Sequence, residues 1–411
     1  MNHTVKERFL KYVQIDTQAD PHSGKTPSSE KQLNLMKELS KELDAMGIAH
    51  EQGTYGHLYA TIPANTDKKN VPTIFFCSHV DTAPDCSGTN VKPIVHANYQ
   101  GGDITLPDDP EQVITMKKFP ELKDKIGQDI ISASGHTLLG ADDKSGVASI
   151  MDAAFQLVNN PDIKHGVVKL FFTVDEEIGQ GVENADLEKI GADFGYTLDS
   201  GNIGSFEYEN FSANGYKIEI TGASAHPGYA KGKMEHAIKI ASEIISKLPK
   251  DKLSPESTSA MEGFVHPTGI TGKLEEATLS FIIRDFATEN LAKHEAMIED
   301  ITKEVMKDYP RSKYTATSTE QYRNMKDVVK DHMHIVSYAE EAMSNLGLPY
   351  KLSAIRGGTD GAILSHRGLP CPNLFSGQHG IHSKLEWTTV QEMEAAVKTV
   401  LEICKITEQK A

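Results

Sequence analysis

The stretch FFTVDEEIG, residues 171–179, sets two opposed tendencies side by side. Phe171, Phe172, Thr173 and Val174 make an apolar run that reads as a buried strand. It stops in three consecutive acids, Asp175, Glu176 and Glu177. Adjacent carboxylates repel one another and lose hydration where a sheet ends against other protein. A solvated loop is the plainer account of such a triplet, but the apolar strand before it and the Ile-Gly after it weaken that account. A source of positive charge is expected at this rim.

Outward from that stretch, helix and strand alternate. TIFFCSHVD (73–81) and GVVKLFFTV (166–174) read as short buried strands, and GADFGYTLDS (191–200) ends in another. DKSGVASIMDAAFQLVNN (143–160) reads as a helix. Another helix carries Leu33, Met36, Leu39, Leu43 and Met46 at helical spacing before a Gly stop. This alternation implies an α/β layer structure with a largely parallel sheet.

The middle of the chain has another rhythm. Its elements run strand (from ANGYKIEITG, 213–222), helix, two strands, helix, and strand (SKYTATSTEQ, 312–321). That order is the split-βαβ, ferredoxin-like α+β pattern, which buries its own core. The expected domains are therefore 1–211 and 324–411, forming one domain, with 212–323 inserted as a second. A chain of 411 residues is too long for one typical core in any case.

Bulk properties narrow the function. The chain carries 58 acids against 42 bases, a formal charge of −16, which argues against nucleic-acid binding. The four cysteines include no C-x-x-C pair and are too few for a disulfide framework, so a reduced compartment is expected. The N-terminal residues read as an amphipathic helix without a signal-type apolar core. No apolar run is long enough to span a bilayer. A cytoplasmic protein, not attached to a membrane, is the expectation.

Four more segments place His or Asp at the ends of elements. SHVD puts His79 and Asp81 two apart, where Asp81 can accept the proton on the ring nitrogen that faces away from a metal. LLGADDKSG offers Asp142 and Asp143 before a helix, either of which can cap it. TLDSG offers Asp199, and GQHGIHSKLEW offers His379 and His382. Each has a plain structural explanation when taken alone. Together, two imidazoles and three carboxylates without thiolate make a ligand set for Zn²⁺, with Co²⁺ or Mn²⁺ as substitutes.

These segments, with NYQGGDITL, SAHPGYAKGKM, IIRDF and RGGTDGAILSHRGLPCPNLFSG, resemble the peptidase T (tripeptide aminopeptidase) branch of the aminoacylase and carboxypeptidase-G2 type dinuclear zinc hydrolases. The resemblance covers nearly the whole chain. It implies a zinc-peptidase catalytic domain with an inserted lid, two Zn²⁺ per chain, and a short peptide with a free N-terminus as substrate. It implies His79 and Asp199 on one zinc, Asp142 as the bridging carboxylate, and Glu177 with His382 on the other. HSKLEW fits the family's pattern of a His, a small residue, a base, one residue, Glu and an aromatic, which selects His382 over His379. Asp81 matches the acid that orients His79, and Glu176 the general base. In the inserted domain His226 matches a residue that reaches the reacting carbonyl, and Arg284 one that binds the substrate's carboxylate; Arg356 is a further substrate-binding candidate. Gln180, Ser200, Ser383 and Leu385 depart from the family's usual residues, and none is a ligand position. Relatives pair through the inserted domain, which implies a homodimer, although no hydrophobic stripe here demands one. The rival readings are another amide hydrolase of the same superfamily (aminoacylase, dipeptidase or deacylase) and a catalytically silent metal- or peptide-binding relative.

Overall fold

The structure, a computed structural model, describes residues 3–411. It resolves into two compact units. The first comprises the described residues up to Tyr208, with Asp327–Ser353 and Thr359–Ala411; the second comprises Glu209–Lys326 and Ala354–Gly358. The short segment 354–358 thus groups with the second unit, not with the chain on either side of it.

The first unit is organised by a mixed sheet. Its spatial order is Ala49–Gln52, Leu58–Ile62, Val168–Thr173, Ile74–His79, Phe194–Ser200, Asn373–Phe375, Ser205–Asn210 and Lys351–Ile355. The four central strands, from Val168–Thr173 to Asn373–Phe375, are parallel to one another. Leu58–Ile62 and Ser205–Asn210 flank them antiparallel, so the parallel character is confined to the centre. All six residues of Ile74–His79 are buried, as a strand covered on both faces requires. Phe75 and Cys77 pack on one face with Tyr59 and Phe171, while Phe76 stacks on Tyr196 on the other. Because the central strands run the same way, their C-terminal ends share one rim, where ligands of α/β sheets bind.

The helix Ala141–Asn159 packs on this sheet, and Gly146 is what lets it come close. A Cβ there would collide with the carbonyl oxygen of Leu198 and stand 2.5 Å from Asp143 Oδ1 and 2.7 Å from Ser78 Oγ. Asp142 and Asp143 stand at the start of this helix, and the capping alternative open to either is not taken up. Gly140 occupies the cap position, and both acids depart from helical backbone angles. The segment between residues 82 and 140, which the alternation did not resolve, contributes Ile94–His96 and Ile130–Ser132 to a three-stranded sheet completed by Trp387–Thr389.

The second unit is a four-stranded antiparallel sheet in the order Phe264–Gly272, Glu276–Asp285, Ser212–Thr221, Lys313–Tyr322. Two helices, Ala237–Ser246 and Thr288–Met306, complete the β-α-β-β-α-β sequence. Alternation decides its faces: Tyr216, Ile218 and Ile220 join Leu279, Phe281 and Ile283 against Ile240, Ile244, Leu291 and Ile298 of the helices.

Candidate metal centre

The rim of the first unit gathers the expected ligands. His79 ends its strand, Glu176 and Glu177 follow Val168–Thr173, and Asp199 lies near the end of Phe194–Ser200. His79 Nδ1 faces Asp81, 3.1 Å from its carbonyl oxygen and 3.5 Å from Oδ1. That leaves His79 Nε2 facing Asp142 Oδ1 at 3.0 Å and Asp199 Oδ1 at 3.8 Å. The other oxygen of Asp142 lies 3.3 Å from His382 Nε2, which is 2.9 Å from Glu177 Oε2. Asp142 therefore turns one oxygen to each imidazole, as a bridging carboxylate must. Ligand atoms of His79, Glu176 and Asp199 converge within 4.8 Å, as do those of His79, Asp142 and Glu177.

The electrostatics show what the cluster is missing. Four carboxylates stand against two imidazoles. Burial pushes Glu176 and Asp199 well above the carboxylate range, the latter helped by Asp142. Burial and the neighbouring Asp142 push Glu177 up to about 7, and its Oε1 is buried without a hydrogen-bond partner. Asp142 is held well below the usual range: burial opposes this, but His382 and His79 outweigh it. Asp142 and Glu177 in turn raise His382 to about 11. Divalent ions would relieve this strain without importing protons, so the donor set fits a pair of them.

The surrounding groups fix the ligands. Asp81 is wholly buried, and the amides of Glu176 and Glu177 donate to its two oxygens at 3.2 and 3.1 Å. One carboxylate thereby sets both the His79 ring and the turn carrying two further site acids. Asp175 points elsewhere: it accepts from the amide and hydroxyl of Ser28 and from Gln32, while its own amide donates to Gln32. The opening triplet is thus divided, with one acid tying the strand end to the Gln32 helix and two facing the site. Gln378 donates to Asp199 Oδ1 at 3.0 Å.

Two acids of the site were not anticipated. Asp85 Oδ2 lies 3.5 Å from His382 Nδ1, a second carboxylate–imidazole pair. Glu386 accepts backbone amides beside Asp142. Asp85 sits in an irregular loop with no periodicity to announce it; the only signal for Glu386 was its place in the HSKLEW pattern. His379 lies apart from these groups, stacked on Trp387 at 3.9 Å and bonded to Glu392 at 2.9 Å.

In the second unit, Arg284 has no carboxylate partner among the described residues. Its Nη1 donates to the carbonyl of Arg356, its Nε is buried without a partner, and its guanidinium faces the rings of Phe264 and Tyr322. Asp285 is bonded instead to His294 at 2.9 Å and to the amide of Ala287. Arg356 is committed to the loop 258–262, donating to the carbonyls of Ala260 and Glu262 and to Thr258. His226 is exposed and accepts the amide of Gly228 through Nδ1, opening a short turn.

Residues 208–311 match the family model of a peptidase dimerisation domain. The fold is shared with the crystal structure of aminopeptidase PepT from Bacillus cereus (TM-score 0.76, 24% identity, 98% of each chain covered). A tripeptidase from Staphylococcus aureus gives a TM-score of 0.77 at 24% identity, again over 98% of each chain. In sequence, the chain is 47% identical to peptidase T of Clostridium perfringens over 407 residues, 99% of both proteins. It is 45% identical to peptidase T of Geobacillus thermodenitrificans over 413 residues, the full length of both. Likeness at that level over the whole length has one consequence: the chain belongs to the peptidase T family and is a peptidase.

Proposed function

We propose that the chain is a dinuclear zinc aminopeptidase releasing the N-terminal residue of short peptides, tripeptides foremost. The observation that carries this reading is Asp142, with one oxygen beside His79 and the other beside His382. His79, Asp199 and Asp142 would hold one ion, and Asp142, Glu177 and His382 the other. Bound there, two zinc ions would supply Lewis acidity toward a carbonyl and lower the pKa of a water molecule. Glu176 is the general base. It takes the proton of the attacking water and passes it to the leaving amine. Asp81 positions His79 and keeps its Nε2 turned to the site. Arg284, without a carboxylate partner among the described residues, is assigned to the substrate's C-terminal carboxylate, which a guanidinium fork suits. Arg356 orients Arg284 through its carbonyl, and His226 is assigned to the substrate carbonyl.

The same proposal makes the enzyme cytoplasmic and a homodimer. Its four cysteines are all free thiols, and the match to a peptidase dimerisation domain supports pairing of two copies. No helix among the described residues is long and apolar enough to cross a membrane.

The test is hydrolysis of a free tripeptide, a dipeptide and an N-acetylated amino acid, each with and without a chelator. The expected result is fastest turnover of the tripeptide and loss of all activity with chelator. Preference for the N-acetylated substrate would make the chain an aminoacylase instead, and activity indifferent to chelator would remove the metals from the chemistry.

A further inference from the structure

The two ligands that meet across the site, Asp142 and His382, come from loops 240 positions apart; beyond the 3.3 Å approach of Asp142 Oδ2 to His382 Nε2, neither ligand ties one loop to the other. Glu386 does. Its Oε2 accepts the amides of Leu139 and Gly140, both at 2.7 Å, and its Oε1 accepts the amide of Asp142 at 2.9 Å. Three N–H groups on one carboxylate, only 1% exposed, form a complete clamp rather than a chance contact.

The other side of the clamp is equally defined. His382 lies on the loop between His379 and Trp387, whose backbones exchange two hydrogen bonds of 3.0 and 2.9 Å. Glu386 is the last residue of that closed loop. Immediately after it, Trp387–Thr389 pairs with Ile130–Ser132, the strand that leads into the Asp142 loop. Both loops therefore spring from one pair of strands, and Glu386 ties their tips together.

A carboxylate buried beside Asp142 needs a reason to be there. Three amides need more acceptor capacity than the single carbonyl oxygen of a neutral Gln provides, and a carboxylate supplies two oxygens for them. Lys144, buried and donating to the carbonyl of Ile15 at 2.8 Å, lies within the field of Glu386 and Asp81 and offsets part of their charge. Asp81 and Glu386 are both buried and both stand outside the proposed ligand set. Asp81 fixes the turn of Glu176 and Glu177, and Glu386 fixes the turn of Asp142.

We infer that Glu386 is a positioning residue: through the amides of Leu139, Gly140 and Asp142 it sets the bridging carboxylate against His382, and so governs simultaneous binding of two metal ions. The inference rests on the dinuclear reading above. Replacing residues around metal ligands typically weakens metal binding about 10–100-fold, and that range is expected here for the second ion.

The experiment is calorimetric titration of zinc into metal-free wild type, Glu386→Ala and Glu386→Gln, with melting temperature followed in parallel. Wild type is expected to take up two ions. Glu386→Gln, which keeps one acceptor oxygen but turns an NH₂ toward an amide, is expected to take up the first ion normally and the second about 10–100-fold more weakly. Glu386→Ala should show the larger loss. Should the alanine variant not fold, the glutamine variant alone decides. A lowered melting temperature with both zinc affinities unchanged would make Glu386 merely structural and overturn the inference while leaving the dinuclear reading intact. Wild type that takes up fewer than two ions would overturn both.

Discussion

At the scale of single residues, the proposed function separates metal ligands from the group that moves a proton. Glu176 comes within reach of His79 and Asp199, yet its turn is fixed by the amide contact to Asp81 rather than by its own carboxylate. That leaves the Glu176 carboxylate available to move a proton. Glu176→Gln keeps the shape and removes the base, so kcat should fall roughly 10²–10⁴-fold, the usual contribution of a general base, with metal content by elemental analysis unchanged. Comparable turnover in the variant would move the base elsewhere. Arg284 poses a question of recognition. Its unpartnered Nε and the absence of a carboxylate partner among the described residues predict that Arg284→Ala lowers kcat/KM for free-acid tripeptides far more than for their C-terminal amides. Equal losses on both would withdraw its assignment to the carboxylate. The convergence of His79, Asp142, Glu177, Asp199 and His382 was legible in the sequence, because His and acids stand together at the ends of elements. Asp85 and Glu386 were not, since an acid serving a neighbour's ring or backbone looks in sequence like any other acid.

At the scale of elements, the buried strands and the helix that follows the Asp142 loop carry the geometry. Strands such as Ile74–His79 were readable because six buried residues in a row have no other soluble use. The ferredoxin-like order of the second unit was readable from its alternation, which its packed face repeats. The segment between residues 82 and 140 was not readable: its strands are two or three residues long, too short to display a period. One element junction gives a pH prediction. Glu392, in the first turn of the C-terminal helix Val390–Gln409, contacts His379 and Lys125. Burial opposes ionisation, but His379 and Lys125 hold the Glu392 carboxyl down at about 2, against 4.5 unperturbed. A carboxyl depressed on folding stabilises the native state above its unfolded pKa, and loses that contribution as pH falls through the folded value. Stability should therefore drop between about pH 4.5 and pH 2, by at most about 3 kcal/mol from this group. Denaturant midpoints across that range should show a shallower slope in Glu392→Gln than in wild type. An unchanged slope would mean that Glu392 does not titrate differently on folding.

At the scale of the whole molecule, one proposition connects the parts. Acids from three different elements and two histidines are gathered at one rim although they raise one another's proton affinity. A fold tolerates such a concentration of like charge when cations complete it. Membership of the peptidase T family and the bridging posture of Asp142 point to two of them. The most direct measurement is anomalous X-ray scattering at the zinc edge from crystals of the zinc-loaded protein. The account predicts two peaks per chain, one among His79, Asp142 and Asp199 and the other among Asp142, Glu177 and His382. A single peak, or zinc bound away from Asp142, would contradict it.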